Sequence, residues 1–141
     1  MPKTILLDTH TWIWLNEGVV DKFSESVIKC IEKSFLEKQL LVSSISIWEI
    51  GMLTSKGRLT FADSCQEWIN KALKMSGITL IQLEPSIALH SSYLVGDFHA
   101  DPADRIIVAT AQKKNATLLT VDKKILEYGS KGYLKVLSLN S

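Results

Sequence analysis

No apolar run in the 141-residue sequence approaches the roughly 20 residues needed to cross a bilayer, which excludes a membrane-spanning helix. Met1, Pro2, Lys3 and Thr4 lead straight into a strand-like stretch, without a basic-then-apolar leader that ends in small residues. The cytoplasm is therefore the expected location. Cysteine is scarce. Cys30 and Cys65 have no second Cys or His at zinc-ligand spacing, so both are expected as buried or half-buried free thiols. An excess of either charge is also missing. With 16 Lys and Arg against 15 Asp and Glu the formal net charge is +1, so no global field gathers a polyanion. Any such ligand has to be held locally, or through a metal ion. Finally, no repeat and no Pro- or Gly-rich linker divides the chain. One domain over residues 1–141 is expected, with hydrophobic residues at 46% and charged residues at 22%, the profile of an ordinary globule with a core.

What is present is an alternation of short apolar runs with amphipathic stretches. Residues 4–8, 40–42, 78–81, 117–121 and 135–137 read as strands. Ser24 is placed to cap a helix in which Val27, Ile28, Ile31 and Phe35 recur at helical spacing. Ser43 or Ser44 caps a second helix, with Ile45, Trp48 and Met52 on one stripe and its end near Gly57. A third is expected to begin at Asp63, carry Trp68, Ile69, Ala72 and Leu73, and stop at Gly77. Residues 87–94 form a short helix. Asp101 followed by Pro102 marks the start of another, which runs to Lys113, Lys114 and Asn115. Continuously apolar strands that alternate with helices predict a three-layer α/β/α fold, a central parallel sheet with helices on both faces. Ligands in such folds bind beyond the carboxyl ends of the strands.

Four acids stand out from the rest. Asp8 and Asp122 each lie where an apolar strand stops, and so project from the carboxyl edge of the sheet. Glu49 interrupts a stretch, residues 45–53, in which nearly every large neighbour is apolar. Asp104 stands one turn into a helix that continues with Ile106, Ile107 and Val108. Each also has an ordinary explanation: Asp8 and Asp122 as turn or capping residues, Glu49 on a solvent-facing stripe, Asp104 as the third-position acid of a helix capped by Asp101. Taken together the four are more telling. Carboxylates gathered at one sheet edge raise one another's pKa unless protons or cations intervene. An all-oxygen donor set suits Mg²⁺ or Mn²⁺, and such ions support displacement at a phosphodiester.

The motifs that carry these acids resemble those of the PIN-domain nucleases, and among them the VapC toxins of toxin–antitoxin pairs. Leu6-Leu7-Asp8-Thr9-His10-Thr11 resembles the first catalytic Asp of that family followed by a hydroxyl residue. Ser43-Ser44-Ile45-Ser46-Ile47-Trp48-Glu49-Ile50 is similar to the helix that bears the catalytic Glu. Asp101-Pro102-Ala103-Asp104-Arg105-Ile106-Ile107-Val108 resembles the third motif, whose second Asp belongs to the metal site. Leu118-Leu119-Thr120-Val121-Asp122 is similar to the fourth, with a hydroxyl two residues before the acid. The resemblance runs through nearly the whole chain. It implies a doubly wound parallel sheet and a metal-dependent endoribonuclease selective for single-stranded RNA. It also implies catalytic and metal-binding roles for Asp8, Glu49, Asp104 and Asp122, Mg²⁺ or Mn²⁺ as cofactor, a homodimer, and an inhibitory antitoxin as partner.

Several neighbours keep two readings. Thr9 and Thr120 either orient carboxylates and water or are satisfied turn hydroxyls. Arg105 either grips a phosphate or pairs with one of the acids. His10 and His99 flank the site and are more often solvated or hydrogen-bonded than catalytic. Trp12, Trp14, Trp48 and Trp68 read chiefly as core or interface aromatics. Two rival functions share part of this pattern. A non-catalytic RNA- or protein-binding module on the same scaffold has no need of all four acids. A haloacid-dehalogenase-type phosphatase wants a second Asp two residues after the first, where this sequence has His10.

Overall fold

The computed structural model describes residues 2–141. Five strands, β1 (Ile5–Leu7), β2 (Leu40–Ser43), β3 (Ile78–Ile81), β4 (Thr117–Leu119) and β5 (Val136–Leu137), form one parallel sheet in the order β3-β2-β1-β4-β5. Seven α-helices lie between and around them: α1 (Thr9–Asn16), α2 (Glu25–Leu36), α3 (Ser44–Ser55), α4 (Cys65–Leu73), α5 (Pro85–Ser91), α6 (Pro102–Lys113) and α7 (Lys123–Ser130). The expected three-layer α/β/α architecture is the one found.

Side chains alternate across a strand, and this divides the core in two. Ile5, Leu7, Leu40, Val42 and Leu119 join Trp12, Val27, Ile31, Ile50 and Trp68 from α1 to α4. Leu6, Leu41 and Leu118 face the other way, towards Ile87, Ile107, Val108, Ile125 and Tyr128 from α5, α6 and α7. Strands buried on both faces need apolar residues at every position, which is why they read as unbroken runs. The chain proceeds from β1 outward to β3 and then returns to place β4 on the other side of β1. The strand order therefore reverses between β1 and β4, and their carboxyl ends open a crevice there.

The sequence reading needs correction at both ends of two helices. Asp63 does not begin α4. Ser64 is its N-cap and accepts the Glu67 N–H at 3.2 Å, while Asp63 pairs with Lys71 at 2.7 Å. Ser64 with Glu67 three residues on has the capping-box spacing, and an adjacent Asp does not displace it. The same helix ends at Leu73 and not at Gly77, whose glycine is needed for another reason: a Cβ there would lie 2.5 Å from the Phe35 carbonyl oxygen and 2.4 Å from its ring. The helix expected over 87–94 starts two residues earlier, because Pro85 occupies a first-turn position with no N–H to satisfy, and it ends at Ser91. Gly57 follows α3 with φ +69°, as its place after a helix requires, and both cysteines are free.

Leu118 on β4 is fully buried, whereas Leu36 at the end of α2 is 81% exposed. Leu118→Ala is expected to cost about 3 kcal/mol in urea unfolding. Leu36→Ala should stay within about 0.5 kcal/mol of wild type. Equal costs would show that the sheet is not packed between two helical layers.

Candidate active site

Asp8 follows β1 directly and Asp122 lies three residues beyond β4, so both stand at the crevice where the strand order reverses. A parallel strand that turns into a helix needs an extended residue with a side-chain acceptor, and both acids fill that role. Asp8 Oδ1 accepts the Thr9 N–H at 2.8 Å to cap α1, and Asp122 Oδ1 accepts the Ile125 N–H at 3.0 Å to cap α7. Capping uses only Oδ1 of each, so Oδ2 is not spent on the helix end. The ordinary and the functional readings of these residues are therefore compatible.

The threonines orient carboxylates. Thr120 Oγ1 donates to Asp8 Oδ2 at 2.6 Å and accepts the Asp122 N–H at 3.0 Å. Thr9 Oγ1 donates to Glu49 Oε1 at 2.6 Å and also lies 2.8 Å from Ser46 Oγ. A hydroxyl has one proton, so Ser46 is the donor in that second bond. Glu49, in the second turn of α3, is half-buried, as its apolar neighbours suggested. At the start of α6 the two aspartates divide as expected. Exposed Asp101 is the N-cap and accepts the N–H groups of Ala103 at 3.0 Å and Asp104 at 3.3 Å. Asp104 is half-buried, with His99 Nε2 3.1 Å from its Oδ2.

These acids sense one another. Burial, and then the charges of Asp101, Asp122, Asp8 and Glu49, push the Asp104 carboxyl up to about 7 from an ordinary 3.8. Burial raises Asp8 as well, against the lowering effect of the Thr120 and Thr9 hydrogen bonds, with the Asp122 charge adding to the rise. Burial likewise raises Glu49 despite its bond from Thr9, and the Asp8 and Asp101 charges raise it further. The fold thus brings all four acids into one electrostatic unit, with Asp101 as a fifth contributor that a reading of it as a cap leaves out. Among the described residues no three His, Cys, Asp or Glu side chains converge into a ready-made cage for a metal ion. The donors on offer are carboxylate oxygens with a surplus of negative charge, a set that fits a hard divalent cation which retains part of its water shell.

The remaining candidates separate. Among the described residues Arg105 pairs with no acid: it donates to the carbonyls of Ser91, Phe98 and His99. Its length lets it cross to an irregular segment whose carbonyls lack helical partners, which local sequence does not reveal. His10 is exposed, with its ring 5.9 Å from that of Trp14. Trp12 and Trp68 meet edge-to-face in the core, whereas Trp48 is exposed on α3 beside Glu49.

The PIN domain model matches residues 5–131. The chain belongs to the PIN-domain family. Ribonuclease VapC22 of Mycobacterium tuberculosis (strain ATCC 25618 / H37Rv) is 29% identical over 122 residues, which span 86% of this chain and 89% of that protein. The solved VapBC2 complex of Rickettsia felis, bound to a DNA fragment from its promoter, contains a chain similar to this PIN domain. Its TM-score is 0.66 at 17% identity, covering 96% of this chain and 98% of that one. A toxin–antitoxin complex from Klebsiella pneumoniae gives a TM-score of 0.53 at 19% identity, covering 86% of this chain and 90% of that one. At those identities the structural likeness concerns the fold.

A carboxyl whose folded-state pKa lies above its unfolded value binds more protons in the folded state. It therefore makes the PIN domain more stable as pH falls from about 7 towards its unfolded value near 4. In EDTA at pH 7.5, Asp104→Asn should melt a few degrees above wild type. The gap should close near pH 5, where Asp104 is already protonated. If the variant melts lower at both pH values, Asp104 is a structural hydrogen-bonding group and not a repelled one.

Proposed function

We propose that this PIN domain is a metal-dependent endoribonuclease that uses Mg²⁺ or Mn²⁺ and acts in the cytoplasm as the toxin of a toxin–antitoxin pair. The observation that carries the reading is the gathering of Asp8, Glu49, Asp104 and Asp122 at the reversal point of the sheet, where burial first and the neighbouring charges second push Asp104 up to about 7. Stability is sacrificed by crowding like charges, and a cation-dependent task is the usual reason for it. The similarity to a ribonuclease of the VapC type and to a chain of a toxin–antitoxin complex supports RNA as substrate and a cognate antitoxin as inhibitory partner. A homodimer is supported by Leu89, Tyr93 and Val95, exposed apolar side chains carried by α5 and the segment after it.

In this reading Asp8, Asp104 and Asp122 hold the cation, directly or through water. Such a cation supplies the positive charge and Lewis acidity that phosphodiester hydrolysis needs at neutral pH. Glu49 either joins them or accepts the proton of the attacking water. Its Oε1 is fixed by Thr9, and its raised pKa brings it nearer the range of a working base. Thr120 holds Asp8 in the same way. The near-neutral surface needs no basic groove, because the cation reverses the sign of the site.

The test is cleavage of RNA by the purified protein. Cutting should require Mg²⁺ or Mn²⁺, stop with EDTA, and fail to return with Ca²⁺, whose looser coordination suits in-line displacement poorly. Asp101→Asn should retain most of the activity, since Asn caps about as well as Asp. Asp104→Asn should lose a hundredfold or more, by analogy with the removal of a preorganised charge-stabilising group. Undiminished cutting in excess EDTA, or the reverse ranking of the two variants, overturns the proposal. Metal binding with no cleavage would favour the non-catalytic module.

A further inference from the structure

Arg105 adjoins Asp104 in sequence, yet among the described residues it makes no ion pair. Its Nε donates to the Ser91 carbonyl at 2.9 Å, and its Nη1 to the carbonyls of Phe98 at 3.0 Å and His99 at 3.3 Å. Ser91 is the last residue of α5, and Phe98 and His99 lie just before α6. One guanidinium therefore ties both ends of the irregular 92–100 segment to the helix that carries Asp104. The Tyr128 hydroxyl holds the middle of the same segment by donating to the Val95 carbonyl. An irregular loop of this length would otherwise carry several unsatisfied carbonyls and open readily.

The segment delivers one side chain to the acidic unit. His99 Nε2 lies 3.1 Å from Asp104 Oδ2, close but not aligned as a hydrogen bond, and it has no other partner among the described residues. With the proton on Nε2, a small turn of either group completes the bond. Such contacts commonly tighten only when a site is occupied. A carboxylate that serves a cation needs an outer partner to fix which oxygen it presents.

We propose that Arg105 is a positioning residue for the acidic site: by fixing the 92–100 segment it places the His99 imidazole where it sets the orientation of the Asp104 carboxylate. The proposal rests on the nuclease reading, in which Asp104 serves the cation. It explains why an arginine stands here. A planar fork of N–H donors spans three carbonyls, which the single ammonium of lysine does not reproduce. Because the guanidinium is committed to neutral carbonyls, it also stays off the carboxylates it would neutralise.

The experiment compares Arg105→Lys, His99→Ala and the double variant in the full chain. Thermal melts with graded Mn²⁺ give the concentration for half-maximal stabilisation. RNA cleavage gives kcat and KM, and carbon-edited proton spectra report the histidine rings. Lysine keeps the stem and the charge, so Arg105→Lys is expected to fold, and a cooperative melt checks this. Each single variant should need about tenfold more Mn²⁺ and lose about tenfold in kcat, the usual cost of removing an outer partner of a metal ligand, with KM within about twofold. The double variant should be no worse than Arg105→Lys, because both changes break one chain of contacts. The His99 ring signals should shift in Arg105→Lys. An unchanged Mn²⁺ requirement in Arg105→Lys, unmoved ring signals, or losses that multiply in the double variant overturn the proposal. If the wild-type protein cuts no RNA, the nuclease reading fails, whereas the Mn²⁺ requirement and the ring signals still decide whether Arg105 positions Asp104.

Discussion

Burial of neighbouring carboxylates at the reversal point of the sheet, with the repulsion it sharpens, is the constraint on which the site depends. Four acids come from four segments of the chain, and burial and neighbouring charges raise the pKa of Asp8, Glu49 and Asp104. Three of the four are held by hydrogen bonds that limit their freedom to swing away. Thr9 fixes Glu49, Thr120 fixes Asp8, the first turn of α7 fixes Asp122, and His99 lies against Asp104. The rigid sheet beneath makes this possible. β1 and β4 are fully buried neighbours in the middle of the sheet, so the residues that follow them cannot spread without unpacking both halves of the core.

Helix geometry offsets part of the cost. Asp8, Asp101 and Asp122 cap the N-termini of α1, α6 and α7, and Asp104 lies in the first turn of α6. Negative charge at a helix N-terminus gains typically 0.3–1 kcal/mol from the dipole when exposed. Asp8 and Asp104 are nevertheless shifted upward: at Asp8 burial outweighs the hydrogen bonds from Thr120 and Thr9, and at Asp104 burial and the neighbouring charges act together. The two strand-to-helix turns at Asp8 and Asp122 thus do double duty, starting a helix and placing a carboxylate at the crevice.

Much of this was legible before the fold was known. An Asp that ends an apolar run, a Glu that interrupts one, and an Asp-Pro pair ahead of a helix are local signals, and local chemistry decided them. The strands were legible because burial on both faces demands apolar residues at every position. What stayed hidden depends on long side chains or on contacts between distant segments. Arg105 could not be placed from its own neighbourhood, because its partners are carbonyls up to 14 residues away that become available only when the 92–100 segment folds back. The choice of Ser64 over Asp63 as a cap turned on a competition between two good capping residues. The end of α4 was misplaced because Gly77 answers to the approach of Phe35 and not to helix termination.

The central claim is that the crowded acids form one cation site whose occupancy competes with a proton on Asp104. The most direct measurement is Mn²⁺ binding followed by electron paramagnetic resonance at pH 6 and pH 8, on wild type and Asp104→Asn. Wild type should bind more tightly at pH 8, where Asp104 is ionised, and clearly more weakly at pH 6. The variant should bind weakly and lose most of that pH dependence. Equal wild-type affinity at the two pH values, together with unimpaired binding by Asp104→Asn, would contradict the account.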